Sequence, residues 1–248
     1  MRKNILITGA SSGLGLGMAT EFAKKGHNLA LCARRLENLI ALKEQLLSLN
    51  PNIDVYVYQL DVNDHQAVFR VFEQCQKDMQ QIDRIIVNAG MGKGASIGTG
   101  LFNANLQTAE TNFIAALAQC EAAMTIFRQQ NSGHLVTMSS ISALRGFRRA
   151  MTVYAATKAA ITSLSEGIRI DVMHTPIKVT CVHPGFIRTD INKSVKNAPF
   201  IVDLTTGCKA LVKAINKEQA NVYVPTYPWA LLQWIIRIAP ISTLRKMS

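Results

Sequence analysis

Acidic residues are scarce in this chain. Sixteen aspartates and glutamates face 27 lysines and arginines among 248 residues, a formal net charge of +11. That excess points to anionic partners: nucleotide phosphates, a coenzyme tail, an acidic carrier or a membrane surface. The basic residues are dispersed, and neither a helix-turn-helix nor a zinc-finger pattern occurs, which argues against nucleic acid. Cysteine is thin too. Cys32, Cys75, Cys120, Cys181 and Cys208 are odd in number and no pair has C-x-x-C spacing, so neither a metal site nor a disulfide framework is expected. They read as small reduced core residues of a cytoplasmic protein. Long apolar runs are missing as well. Ile5-Leu6-Ile7 leads straight into a glycine turn and is too short for a signal peptide, and the apolar stretch Tyr227–Ile241 is too short to span a membrane. With no internal repeat, low-complexity tract or linker, residues 1–248 read as one domain.

What is present is a regular alternation of short apolar runs and helical patterns. Strands are expected at 3–8, 28–33, 53–60, 82–87, 134–139, 177–182 and 221–224. Helices are expected between them, at 16–25, 36–49, 64–80, 103–130, 152–174 and 203–216. The helix at 36–49 shows the pattern best, with leucines at 36, 39, 42, 46 and 49. Short connections between alternating strands and helices imply an α/β, doubly wound parallel sheet of about seven strands, Rossmann-like, with helices on both faces.

The first strand runs into Thr8-Gly9-Ala10-Ser11-Ser12-Gly13-Leu14-Gly15. Glycines permit positive φ and a close approach of backbone to ligand, and the following helix offers free N–H groups to a phosphate. Strand, glycine loop and helix in this order make a dinucleotide-binding unit, with Gly9, Ser11, Ser12, Gly13, Leu14 and Gly15 around the phosphates. The second strand ends at Arg34-Arg35, where an acid would suit a free ribose 2′-hydroxyl and an arginine suits a 2′-phosphate. The cofactor expected is therefore NADPH rather than NADH.

Tyr154 and Lys158 lie four apart in the helix at 152–174, so both side chains share one face. A positive charge beside a phenol favours the phenolate, so the tyrosine is expected to ionise more easily and to act as a general acid–base.

Together these motifs resemble the short-chain dehydrogenase/reductase family over nearly the full length. They are Thr8-Gly-x-x-x-Gly-x-Gly15, Asp61, Asn88-Ala89-Gly90, Asn112, Ser140, Tyr154-x-x-x-Lys158, and Pro184-Gly185 followed by Thr189. The resemblance implies that Tyr154 gives the proton to a substrate carbonyl oxygen and that Ser140 fixes that oxygen. It implies that Lys158 holds the nicotinamide ribose and that Asn112 supports a water beside Lys158. Asp61, with Val62, would meet the adenine, and Asn88, Ala89 and Gly90 the ribose. Pro184, Gly185, Ile187 and Thr189 would border the nicotinamide and phosphates. The interval from Ser140 to Tyr154 is one residue longer than usual in the family, which leaves Ser139 and Ser142 as alternatives to Ser140.

The substrate reading is coarser. Arg145, Arg148 and Arg149 lie between Ser140 and Tyr154, Lys193 and Lys196 lie in the substrate flap expected at 186–202, and Phe200 and Ile201 come just beyond those lysines. They suggest a small-molecule carbonyl with a long apolar chain and an anionic handle, such as an acyl thioester or fatty aldehyde, as in acyl and long-chain carbonyl reductases of the family. Small or steroid-like ketones and alcohols are the alternative substrates. A non-catalytic NADP(H)-binding sensor is the alternative function, disfavoured because Tyr154 and Lys158 are both present. Small and apolar faces on the helices around Asn112 and Tyr154 suggest a homo-oligomer. The apolar extension 227–248 has two readings: peripheral membrane contact, which would make the protein membrane-associated, or a cap on the pocket or a partner subunit, which is preferred.

Overall fold

The computed structural model describes residues 2–92, 94–189 and 199–247. Strands β1 (Asn4–Thr8), β2 (Asn28–Ala33), β3 (Val55–Gln59), β4 (Arg84–Val87), β5 (His134–Met138), β6 (Lys178–Pro184) and β7 (Asn221–Val224) form one sheet in the order β3-β2-β1-β4-β5-β6-β7. Every pairing is parallel. The expected α/β doubly wound sheet is what the chain forms.

Strand residues alternate between the two faces. Ile5 and Ile7 of β1 enter one apolar cluster with Met18 and Phe22 of α1 (Gly13–Lys24), Leu39 of α2 (Leu36–Leu49) and Leu211 of α7 (Leu204–Ile215). Leu6 points the other way, into a cluster with Phe72 of α3 (His65–Met79), Phe127 of α5 (Ala115–Gln130) and Ile161 of α6 (Met151–Asp171). All five cysteines are buried and unpaired, as small core side chains.

The order reverses between β1 and β4, so the crevice at their C-terminal ends is the topological switch point where such sheets bind ligands. The helix expected at 103–130 is continuous but not uniform. α4 (Phe102–Ala109) passes into α5 through a π turn, Glu110–Ile114, with Asn112 at its centre.

The tail folds into α8 (Thr226–Ile238) and the short α9 (Ile241–Met247). Trp229, Ile236, Ala239 and Leu244 pack against Ile141, in the 3₁₀ turn Ile141–Leu144 just after Ser140. Among the described residues no helix is long and apolar enough to cross a membrane.

At the opposite, N-terminal end of the sheet, Arg84 is 2% exposed and gathers a polar cluster. Its Nε donates to Nδ1 of His134 at 2.8 Å, and its Nη1 donates to Oδ1 of Asn216 at 2.7 Å. Because Nδ1 accepts, Nε2 is the protonated nitrogen of His134, and it faces Thr180 Oγ1 at 2.8 Å. Burial, with Arg84 and Arg2 adding to it, brings His134 down to about 2. His134 is therefore neutral, and Glu218, 3.6 Å from its Nδ1, pairs with Arg2 and Arg84 instead.

Candidate active site

Two glycine contacts shape the loop between β1 and α1. Gly9 has φ +64°, and a Cβ there would lie 2.9 Å from the Ala89 Cα. A Cβ on Gly15 would collide with the Gly9 carbonyl oxygen and come 2.7 Å from Asn88 Nδ2. The loop thus keeps its curve only while both positions lack side chains. Ser12 precedes α1 without a side-chain cap, and the first turn has no acid, so the helix start is left to another anion. Arg35 Nη2 donates to Ser11 Oγ at 3.0 Å and to Ser12 Oγ at 3.1 Å, which lays an exposed guanidinium across the loop. Arg34 is exposed beside it. A bare, uncapped, positively flanked cradle of this kind fits a dinucleotide phosphate chain.

The end of β4 is tied to β1. Thr8 Oγ1 accepts from the backbone N–H groups of Asn88 and Ala89 at 3.0 and 3.1 Å, and Asn88 Nδ2 donates to the Thr8 carbonyl at 2.9 Å. Asp61 is exposed beyond β3, where its Oδ1 accepts from Asn63 N and Nδ2, while Val62 is buried. Asp64, not Asp61, caps α3, accepting from Ala67 N at 2.9 Å. Asp61 therefore remains at the crevice edge. Thr189 approaches the loop from β6, its Cγ2 3.7 Å from where a Gly13 Cβ would be.

Tyr154, Ser140, Lys158 and Asn112 come together from α6, the end of β5 and the π turn. Ser140 Oγ accepts from Ser142 N at 3.1 Å, which fixes it at the start of the 3₁₀ turn. The same hydroxyl faces the Tyr154 phenol and favours its ionised form. Ser139 is committed elsewhere: its Oγ donates to the Lys158 carbonyl at 2.8 Å and contacts Thr162 Oγ1 at 2.8 Å. Lys158 is 7% exposed, its Nζ donates to the Met138 carbonyl at 2.8 Å, and it lies 5.7 Å from the Tyr154 ring centroid. Gly90 sits between the lysine and the asparagine; a Cβ on it would lie 3.2 Å from Asn112 Oδ1 and 3.6 Å from Lys158 Nζ. The Asn112 amide clamps Met91, accepting from its N–H at 2.8 Å and donating to its carbonyl at 2.9 Å. π turns recur at functional sites, and this one turns Asn112 inward toward the β4 end.

The electrostatics differ from the expectation in one respect. Burial raises the Tyr154 phenol above its ordinary value, and the hydrogen bond from Ser140 offsets only part of that rise. Burial also brings the Lys158 ammonium down to about 8, with Cys181 opposing. Desolvation disfavours the charged form of both groups and is the largest cause of each shift. Tyr154 is therefore a neutral hydroxyl at pH 7, able to donate.

A second expectation is corrected at Arg145. Its Nη1 donates to the carbonyls of Arg237 at 2.7 Å and Ala239 at 3.0 Å, so it closes the C-terminus of α8 and does not face a substrate anion. Arg148 and Arg149 are exposed. Lys193 and Lys196 lie outside the described residues.

Sequence reasoning missed Trp229. It is 3% exposed, covers Gly185, and stands edge-on to Phe186 and Phe200 at 5.8 and 6.1 Å. It also missed His183, stacked on Tyr223 at 4.8 Å, with Nδ1 3.4 Å from the Ser140 carbonyl. Both contacts join the crevice to the last strand and the tail, and no local spacing announces them. Ile187 is buried, bridged to Val202, and packs where a Gly207 side chain would be.

The chain matches known proteins along most of its length. The short chain dehydrogenase family model covers residues 3–199. An uncharacterized oxidoreductase of Mycobacterium tuberculosis is 45% identical over 247 residues, spanning 100% of this chain and 98% of that protein. The NADPH-dependent 3-quinuclidinone reductase of Rhodotorula rubra superposes with a TM-score of 0.80 at 25% identity, covering 90% of this chain and 89% of that one. A short-chain dehydrogenase/reductase of Burkholderia phymatum, solved with NAD, superposes with a TM-score of 0.85 at 21% identity, covering 99% and 96% of the two chains, a likeness of fold. With its parallel sheet, glycine cradle and Ser140–Tyr154–Lys158 cluster in place, the chain belongs to the short-chain dehydrogenase family of nicotinamide-dependent oxidoreductases, which act on CH–OH and C=O groups.

Proposed function

We propose that this protein is an NADPH-dependent reductase that converts a carbonyl, an aldehyde, ketone or 3-oxoacyl group, into an alcohol, on a substrate with a long apolar chain. The observation that carries this reading is the convergence of the Tyr154 phenol and the Ser140 hydroxyl beside a buried Lys158, whose Nζ lies 5.7 Å from the Tyr154 ring centroid. Two hydroxyl donors converging on one point suit a carbonyl oxygen that gains negative charge as it is reduced. Nicotinamide, when bound, supplies the hydride.

The chain's own residues do the rest. Tyr154, held neutral by burial, gives its proton to the nascent alkoxide. Ser140 holds the same oxygen and sets its distance from Tyr154. Lys158, with a pKa of about 8, sits near neutrality and can return a proton toward the phenol. Asn112 fixes the Met91 backbone, and Gly90, lacking a side chain, leaves room beside Asn112 and Lys158. The glycine cradle would hold the phosphates, Asp61 and Val62 the adenine, and Asn88 to Gly90 the ribose. Pro184, Gly185, Ile187 and Thr189 would flank the nicotinamide. Arg35, with Arg34 beside it, favours a 2′-phosphate over a 2′-hydroxyl.

Residues 1–248 would act as one catalytic domain; of the flap expected at 186–202, residues 190–198 lie outside the described residues. The aromatic wall of Trp229, Phe186 and Phe200 supports an apolar substrate, with Arg148 and Arg149 left at the rim. Phe102, Leu106 and Ile114, exposed on α4 and the π turn, support a homo-oligomer formed through that face.

The test is cofactor oxidation against aldehydes, ketones and acyl thioesters of increasing chain length, with NADPH and then NADH. The expected result is turnover with NADPH and kcat/KM rising with chain length. A flat chain-length series sinks the lipid-like substrate, and no turnover with any carbonyl sinks the reductase.

A further inference from the structure

α8 has two apolar faces, and among the described residues nothing covers one of them. Trp229 and Ile236 face inward onto Ile141 and the catalytic turn. Leu231, Trp234, Ile235 and Ile238 face solvent at 64%, 65%, 59% and 83% exposure. Their spacing of i, i+3, i+4 and i+7 makes a single stripe along the helix. Ile241, at the start of α9, is also exposed, at 79%. Isolated exposed apolar residues are ordinary, but a stripe of four on one helix face marks a contact surface.

The charges on this segment select the occupant. Residues 219–248 contain no aspartate or glutamate, and their charges are Arg237, Arg245 and Lys246. Arg237 lies over the exposed Trp234 ring at 5.9 Å, and Arg245 is exposed. An aromatic and apolar stripe flanked only by cations suits the boundary of an anionic bilayer. A second copy suits it poorly: a twofold contact on α8 would gather the arginines of both copies into one patch with no acid on either segment to offset them.

We propose that α8 and the start of α9 form a docking face for anionic phospholipid membranes, lying in the interface rather than crossing it. The helix would then present its outer face to lipid while its inner face walls the catalytic crevice, and Arg145 ties the two together. Docking in this manner does not depend on the substrate reading, and its test needs no activity.

The experiment is co-sedimentation of the full-length protein with phosphatidylcholine vesicles, with and without phosphatidylglycerol. Binding is expected with the anionic vesicles only, and is expected to fade at about 1 M salt, where the screening length falls to about 3 Å. The Ile235→Ser/Ile238→Ser variant should bind at least about tenfold more weakly, and Arg237→Glu about tenfold more weakly. Tryptophan emission should shift to the blue with anionic vesicles, and that shift should vanish in Trp234→Phe. The variants should keep the parent's circular dichroism and soluble oligomeric state. Failure of the folded parent protein to sediment with anionic vesicles would overturn the proposal. So would an Ile235→Ser/Ile238→Ser variant that binds vesicles as the parent does but dissociates in sedimentation velocity, because the stripe would then be a contact between copies.

Discussion

Arg145 Nη1 donates to the Arg237 carbonyl at 2.7 Å, which fastens the loop between Ser140 and Tyr154 to the last turn of α8. A cation at a helix C-terminus also meets the negative end of the helix dipole. Arg145 is half-buried, so the contact is only partly screened. Arg145→Ala should destabilise the protein by about 1 kcal/mol, which lowers Tm by about 2–4 °C. It should not selectively raise KM for anionic over neutral carbonyls, because the guanidinium is already engaged. Thermal unfolding and a matched pair of substrates check both parts.

Gly185 is where the crevice meets Trp229. A Cβ there would fall among the indole atoms, within 2.6 Å of Cδ1. Gly185→Ala should therefore destabilise by about 1–3 kcal/mol, as overpacking does. The colliding atoms belong to the five-membered ring of the indole, so Trp229→Phe in the same chain should restore part of the loss. Denaturant unfolding of the singles and the double variant measures the coupling, and additive losses would show that the two side chains do not compete for this space.

Arg35 gives a direct handle on cofactor choice. Arg35→Asp removes the cation over Ser11 and Ser12 and offers an acceptor to a free ribose hydroxyl. The ratio of kcat/KM for NADPH over NADH should fall by at least about tenfold, the scale of one charge-assisted hydrogen bond. An unchanged ratio would place the 2′-phosphate elsewhere.

His134 ties stability to pH. Its folded pKa is about 2, pulled down chiefly by burial, while an unfolded histidine titrates near about 6.5. Between these values the unfolded chain binds the extra proton, so stability is full above about pH 6.5 and is lost as pH falls below it. His134→Gln should flatten that acid limb and lower stability at pH 7, where the Arg84 and Thr180 bonds are weakened. Urea midpoints measured from pH 7 to pH 4 report both changes.

Much of the fold was legible because strands and helices alternate with clear periods, and the chemistry sits at strand ends where short motifs mark it. Thr8 to Gly15, Asn88 to Gly90, Ser140 and the Tyr154–Lys158 pair are local patterns, and the parallel sheet gathers them without further information. What could not be read depends on contacts between distant segments. Ser140 is separated from Ser139 as the partner of Tyr154 only by Ser139's bonds to α6. Arg145 looks like a substrate anchor until the end of α8 is placed beside it. The direction of the Tyr154 shift follows from burial, which helical spacing does not report. The π turn at Asn112 interrupts an apolar pattern that a continuous helix would satisfy equally well.

The most direct measurement is Tyr154→Phe, which removes one hydroxyl and leaves the ring beside Lys158. Single-turnover reduction should slow by at least about 100-fold, the scale of a lost general acid, while NADPH affinity by fluorescence titration stays within about twofold. Reduction at the parent rate with the cofactor bound would contradict the assignment of Tyr154 as the proton donor.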